Sequence, residues 1–481
     1  MQKTIIWFRK DLRIHDHQAL SEAAKRGIVI PIFIWSKEEE QDSIVNSPSL
    51  WWLHHSLLAL QQTFQEKYGI SMIIRTGTSL EVLKDIVQET KADAVYFNER
   101  YEPEMIALEK EIIRKLTIDK IEIRTFHSQL VFNPYSVFNL SGDPYKIFTP
   151  YWKKCLKESI PKPFPIPRSI QADIQEISTL SVEQLNLIST IRCHKKLHQY
   201  WTPGENGAIS AWKKFIDNGL DNYKIGRDFP HLNEVSRLSA HLAWGDISPK
   251  AIWYSADHHL QTSENIGCQV QLEEQIEAFK RQLVWRDFGY HQLIHFPTIT
   301  HKPLREQFQS FPWEDNQQDF INWKNGTTGY PFIDAGMREL RETGTIHNRV
   351  RMVVASFLVK HLLIPWTKGA LWFQDTLVDF DLANNSIGWQ WASGCGLDSA
   401  PYFRIFNPMI QSEKFDKNGD YIRLWIPELA ELPSPYIHRP WDAPEHILIS
   451  ANITLGETYP HKIIEHDFAR KRALAGYDMI K

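Results

Sequence analysis

Thr4-Ile5-Ile6-Trp7-Phe8, Val29-Ile30-Pro31-Ile32-Phe33-Ile34-Trp35, Ser71-Met72-Ile73-Ile74, Ala94-Val95-Tyr96-Phe97 and Ile121-Glu122-Ile123 are short apolar runs near the start of the chain. Between them, residues 18–25, 50–68, 79–89 and 103–116 place apolar side chains at helical spacing. Strands covered on both faces read as continuous apolar runs, because helices hide each side of a parallel sheet. Strand and helix alternating this often, with right-handed crossovers, predict a doubly wound α/β domain over residues 1–130.

Residues 131–200 read differently. Pro161-Lys162-Pro163-Phe164-Pro165-Ile166-Pro167 can form neither a helix nor a central strand, and the polar segment behind it reads as a long interdomain linker. Thr202-Pro203-Gly204-Glu205 is a helix-start signal with proline expected at the first helical position. Helical periodicity then governs residues 271–291, 334–341, 349–361 and 370–378. The expected organisation is an α/β domain (1–130), a linker (131–200) and a larger all-α domain (201–481).

The chain has 481 residues, 43% hydrophobic and 23% charged, which excludes disorder, collagen and a small disulfide scaffold. Its apolar runs are too short or too interrupted to span a bilayer. Met1-Gln2-Lys3-Thr4 leads straight into a strand without a signal-peptide layout, and four scattered cysteines form no CxxC pair. A reduced, cytoplasmic setting is expected, with neither a zinc site nor a disulfide framework. A net charge of −4 gives no global pull on nucleic acid, so any contact with DNA needs a local basic patch. Tryptophan (18) outnumbers tyrosine (16), and most of it lies beyond residue 200. The glycine-rich dinucleotide, P-loop, zincin and nucleophile-elbow signatures are all missing from the sequence.

Longer strings are more specific. They are Gly226-Arg227-Asp228-Phe229-Pro230, Ser236-Arg237-Leu238-Ser239, Leu283-Val284-Trp285-Arg286-Asp287-Phe288 and His347-Asn348-Arg349-Val350-Arg351-Met352, followed by Asp381-Leu382-Ala383-Asn384-Asn385 and Gly388-Trp389-Gln390-Trp391. With the opening Trp7-Phe8-Arg9-Lys10-Asp11-Leu12-Arg13, they make nearly the whole chain resemble the photolyase/cryptochrome family, nearest the bacterial class I cyclobutane pyrimidine dimer (CPD) photolyases.

The resemblance implies FAD folded within the helical domain, with reduced FADH⁻ passing an electron under blue light to a flipped-out pyrimidine dimer; photolyases are a stock example of base flipping. It assigns Tyr223, Ser236, Arg237, Leu238 and Ser239 to the FAD phosphates, and Arg351, Asp379, Asp381 and Asn385 to the surroundings of the isoalloxazine, with Arg351 paired to Asp379. A helix running from 381 to 389 would place Asp381, Asn385 and Trp389 on one face. Trp389, Trp366 and Trp313 match an electron-transfer chain from flavin to solvent, although any one of them alone would read as core. Trp285 and Trp391 match two indoles that stack on the dimer, with Asn348 and Met352 beside it and Arg349 and Arg404 at the rim. Lys280-Arg281 adds charge nearby. A (6-4) photolyase would carry two histidines where this chain has Asn348 and Met352.

Two positions depart from the CPD pattern. Gln282 stands where a glutamate usually hydrogen-bonds the pyrimidine pair, and glutamine has no carboxylic proton to supply. Thr345 replaces a usual tryptophan. These departures keep a cryptochrome-like photoreceptor without repair activity as the main alternative, and a (6-4) photolyase as a weaker one. The resemblance also implies an antenna pigment, folate or deazaflavin, with Glu102 at the matching carboxylate position. Damaged DNA is the expected partner of a monomeric enzyme.

Overall fold

The computed structural model describes residues 2–40, 47–173, 177–188, 192–263, 269–398 and 403–481. Its elements begin with β1 (Gln2–Phe8), α1 (Gln18–Arg26), β2 (Gly27–Trp35), α2 (Pro48–Tyr68), β3 (Ile73–Thr76), α3 (Ser79–Thr90), β4 (Ala94–Asn98), α4 (Pro103–Ile118) and β5 (Glu122–Phe126). The five strands form one parallel sheet in the order β3-β2-β1-β4-β5. Thr4 stands opposite both Val29 and Ala94, and Ile32 opposite Ile73. Pro31 is tolerated in an inner strand because pairing with β3 begins only at Ile32.

The pleat sorts the apolar runs between two faces. Ile6, Phe8, Val29, Phe33 and Tyr96 pack with Leu20 of α1 and Leu53, Leu57 and Phe64 of α2. Ile5, Trp7, Ile30, Ile32, Val95 and Phe97 pack with Leu83 and Ile86 of α3 and Ile112 and Leu116 of α4. This is the doubly wound domain the sequence predicts.

The polar stretch beyond residue 130 is fastened along this domain. The backbone N–H groups of Asp16, Val29 and Leu180 donate to the carbonyls of Phe164, Gln171 and Ile74 at 2.9, 2.8 and 3.0 Å. Among the described residues the stretch holds one α-helix, α5 (Phe148–Cys155), and 3-10 turns at Glu183–Leu185 and Arg192–Gln199.

Next come α6 (Glu205–Asn218), α7 (Tyr223–Gly226), α8 (Ser239–Trp244), α9 (Pro249–Thr262), α10 (Gln269–His295), α11 (Gln317–Asn325), α12 (Pro331–Thr343), α13 (Asn348–Ser356), α14 (Trp366–Thr376) and α15 (Leu382–Ser393). Helix α6 starts at Glu205 with Gly204 as its cap, so Pro203 lies before the helix and not at its first position. The periodic stretch 349–361 ends in a π-helical turn over Phe357–His361.

Packing divides the chain into two compact units. The first comprises Met1–Asp221, Ser236–Pro297 and Val378–Ala383; the second comprises Asn222–Val235, Thr298–Leu377 and Asn384–Lys481. Helices α6 and α8–α10 thus fall with the sheet, a different cut from the composition-based one at 130 and 200. The buried Asp246 carboxylate is one reason: it accepts from Trp52 Nε1 at 2.9 Å and the Gly204 backbone N–H at 3.0 Å, and meets His241 Nδ1 at 2.9 Å.

Candidate active site

In the first unit the site residues hang on α10. Gln282 and Trp285 are three residues apart and share one face of that helix. The Trp285 ring lies parallel to Phe148 of α5, with centroids 3.7 Å apart and planes inclined by 8°. Phe148 is itself buried, so the indole is held flat by a fixed partner. Gln282 folds back on its own helix, donating from Nε2 to the Ala278 carbonyl at 3.3 Å.

One turn along, Arg286 donates to the carbonyls of Gln129 and Leu242 at 2.6 and 3.1 Å and stands 3.8 Å from Asp381 Oδ2. Tyr290 donates to the same Asp381 oxygen at 2.8 Å. Asp379 and Asp381 are both buried. Between Trp285 and Tyr290, burial pushes the Asp287 carboxyl up to about 7, although the Phe132 backbone N–H donates to it at 2.9 Å.

The phosphate-matching run has an uncommon backbone. Arg237 adopts φ 53°, a left-handed conformation that costs a side-chain-bearing residue on the order of 1 kcal/mol. Its guanidinium lies 4.3 Å from the Trp201 ring centroid. Leu238, at the cap of α8, offers no side-chain acceptor to the first N–H groups of that six-residue helix.

In the second unit α15 carries Asn385 and Trp389. Asn385 donates from Nδ2 to the Ala370 carbonyl at 3.1 Å, which fixes the amide and leaves Oδ1 as an acceptor. Trp389 is buried against α14: a Cβ on Gly369 would lie 2.1 Å from its ring, so only glycine admits the indole there. Its ring neighbours are Phe373 (5.0 Å) and Trp323 (6.3 Å). Trp366 opens α14 and is buried, and Trp313 packs on Phe311 at 4.5 Å. Among the described residues no ring contact joins Trp389 to Trp366, or Trp366 to Trp313. Trp323 is therefore a neighbour of Trp389 that the sequence reading missed; its only signal there is its residue type.

Helix α13 presents Asn348 and Met352 together, with Nδ2 3.9 Å from Sδ. His347 caps the helix by accepting the Arg349 N–H. Arg349 is occupied, paired with Asp228 at 2.8 Å and lying 4.3 Å from the Phe415 centroid. Arg404 is exposed beside Phe406 (4.9 Å), and Phe406 neighbours Trp391 at 6.3 Å. Tyr223 is buried at the start of α7 with the Arg227 guanidinium over its ring, and the Arg351 guanidinium lies 6.0 Å from the Phe373 ring centroid.

A pocket opens at the C-terminal ends of β1, β2 and β4, lined by Trp7, Phe33, Trp35, Lys10, Arg100 and Trp244 among others. The strand order reverses between β1 and β4, where open α/β sheets hold ligands. Glu102 is buried beside it, bonded to Lys10 at 2.8 Å and to Arg100 at 2.9 Å, and these cations hold its carboxyl well below the ordinary range against the cost of burial. Both its oxygens serve protein partners, so Glu102 places Lys10 and Arg100 at the pocket wall.

In the first unit, two buried carboxylates and the N–H groups at the start of α8 are of the kind that suit a flavin dinucleotide, the N–H groups its pyrophosphate. In the second unit, the Asn385 amide offers a fixed acceptor. Comparison with known proteins agrees. Residues 279–479 match the model for the FAD binding domain of DNA photolyase, and residues 4–168 match the DNA photolyase model. The chain belongs to the DNA photolyase and cryptochrome family of flavoproteins. It is 43% identical to a deoxyribodipyrimidine photo-lyase of Agrobacterium fabrum, over 99% of this chain and 98% of that one. It is 36% identical to cryptochrome-2 of Arabidopsis thaliana, over 98% of this chain and 78% of the relative. A bacterial class III photolyase structure from Agrobacterium tumefaciens superposes with a TM-score of 0.94 at 42% identity, covering 100% and 98% of the two chains. The sequence motifs point to class I, while this neighbour is class III; the family is the level at which the chain is placed.

Proposed function

We propose that the protein is a light-driven DNA repair lyase that splits cyclobutane pyrimidine dimers. Bound reduced FAD would supply the photoexcitable electron. Tyr223, Ser236, Arg237, Leu238, Ser239, Arg351, Asp379, Asp381 and Asn385 would hold it. Asn385 Oδ1 can accept a hydrogen bond at the ring without protonating it. Trp285 and Trp391 would stack on the extruded pyrimidines, Asn348 and Met352 would line the pocket, and Arg404 would meet phosphate. Trp389, Trp366 and Trp313 would reduce oxidised flavin to the active state.

The observation that carries this reading is the 3.7 Å parallel stack of Phe148 behind Trp285, an aromatic platform fixed before any base arrives. The pocket at the C-terminal ends of the strands would take a folate or deazaflavin antenna. The protein would work as a monomer in the cytoplasm.

The test is blue illumination of the reduced holoenzyme with an oligonucleotide bearing one thymine dimer. Loss of the dimer supports the reading; an intact dimer beside fully coloured, reduced protein overturns it. That second outcome would favour a cryptochrome-like photoreceptor, a reading supported by Gln282 turning onto Ala278 in place of a proton-donating glutamate.

A further inference from the structure

We infer that Tyr290, Tyr101 and Tyr135 form a second route by which electrons reach the flavin site, running through the first compact unit to the surface. The inference rests on the placement of FAD beside Asp381 made above. It involves none of the three tryptophans.

The geometry is a file of phenols. Tyr290 is buried on α10 and donates to Asp381 at 2.8 Å. Its ring stands edge-on to Tyr101, with centroids 6.0 Å apart and planes at 76°. Tyr101, fully buried, has its ring 6.1 Å from that of Tyr135, which is 45% exposed. Each step is an aromatic contact at ordinary packing distance, short enough for an electron to pass directly.

Ring contact alone would be mere packing; proton acceptors separate the two cases. A buried phenol can give up an electron only if its proton has somewhere to go, since a phenol radical cation is a very strong acid. Both buried members have a basic acceptor, Asp381 for Tyr290 and His127 Nδ1 for Tyr101. Burial beside Lys250 holds the His127 imidazole down at about 3, which keeps it neutral and makes it a weak base, yet one still far more basic than a phenol radical cation. By contrast, Tyr68, Tyr254 and Tyr330 donate to backbone carbonyls, which cannot take a proton. Tyr421 and Tyr459 do bind carboxylates, but among the described residues neither touches a second phenol.

The steps balance. One electron leaves Tyr290 for light-excited oxidised flavin while its phenolic proton moves to Asp381. Tyr101 then refills Tyr290 with an electron as Asp381 returns the proton, and the Tyr101 proton moves to His127. Tyr135 refills Tyr101 in the same way and loses its own proton to water. A small exogenous thiol donates an electron and a proton to the exposed Tyr135 radical and leaves as a thiyl radical. All three phenols are restored.

The experiment uses oxidised holoenzyme carrying Trp389→Phe, illuminated with a small thiol present and followed by electron paramagnetic resonance and flavin absorbance. The expected result is residual photoreduction with a tyrosyl signal that narrows when the protein contains ring-deuterated tyrosine. Adding Tyr101→Phe should abolish both. Adding Tyr135→Phe, which keeps the ring of this half-exposed residue and removes only its hydroxyl, should prolong the radical and slow its quenching by thiol at least fivefold. Residual reduction unchanged by Tyr101→Phe, or coloured protein with no tyrosyl signal, overturns the relay alone. Colourless protein overturns the flavin placement, and the relay with it.

Discussion

At position 282 an amide nitrogen stands where a glutamate would carry its second carboxyl oxygen, which limits what α10 could offer a bound pyrimidine pair. Gln282 spends its amide N–H on the Ala278 carbonyl, and it has no acidic proton to share with a dimer anion. Gln282→Glu should raise the number of dimers split per absorbed photon by about fivefold, the equivalent of one hydrogen bond of ~1 kcal/mol. Metered illumination of a thymine-dimer substrate measures it, and an equal or lower yield would show that this side chain does not reach the lesion. Trp389 makes the complementary case. Its indole occupies room that exists only because residue 369 lacks a Cβ, so Gly369→Ala should displace it. Both Gly369→Ala and Trp389→Phe are expected to remove most photoreduction of oxidised flavin. Trp389→Phe enzyme reduced chemically beforehand should repair at the wild-type rate, and lost repair there would place Trp389 in the splitting step instead.

Among the elements, α10 joins stability to the site. Asp287 lies between Trp285 and Tyr290 with its carboxyl pushed up to about 7 by burial, from an ordinary value of 3.8. A carboxyl raised on folding favours the native state most below about pH 4, and that contribution is lost as pH climbs through 7. The expected loss is on the order of 2–4 kcal/mol. Denaturant unfolding of wild type at about pH 5 and pH 8 should show it, and Asp287→Asn should flatten the difference; an equal difference in the variant would assign the slope to other groups. Nothing in the sequence marks Asp287 as unusual, since its burial depends on Phe132, a residue far away in the chain. The sheet was legible for the opposite reason: continuous runs such as Val29–Trp35 identify strands covered on both faces, and the pleat then assigns each residue to a face without further information. The linker was only half legible. Its prolines exclude regular structure, but its hydrogen bonds to Asp16, Val29 and Ile74 follow from edges that exist only once the sheet has formed. Candidate site residues inside long motifs are proposed from family likeness, whereas Phe148, Trp323 and Gly369 come to light only through what they touch.

For the whole molecule, charge limits how DNA can be held. The chain carries a net charge of −4, so a polyanion is attracted only locally. Of the basic residues expected near the lesion, Arg349 is paired with Asp228, and Lys280 is buried on Asp257 and against Trp253. Arg281 and Arg404 are exposed. Binding should therefore lean on stacking and lesion contacts more than on phosphate. Each phosphate neutralised contributes about −0.9 to the slope of log affinity against log salt on duplex DNA, so a slope of about −2 to −4 is expected. Titrating a labelled thymine-dimer duplex in the dark over a range of salt measures it, with the undamaged duplex as control. The damaged and undamaged slopes should agree within about one unit while the affinities differ by about a hundredfold or more, because shared phosphate contacts set the slope and the flipped dimer sets the gap. A slope steeper than about −6, or equal affinity for both duplexes, would mean that backbone charge does the holding and that the Trp285 platform is not where the lesion rests.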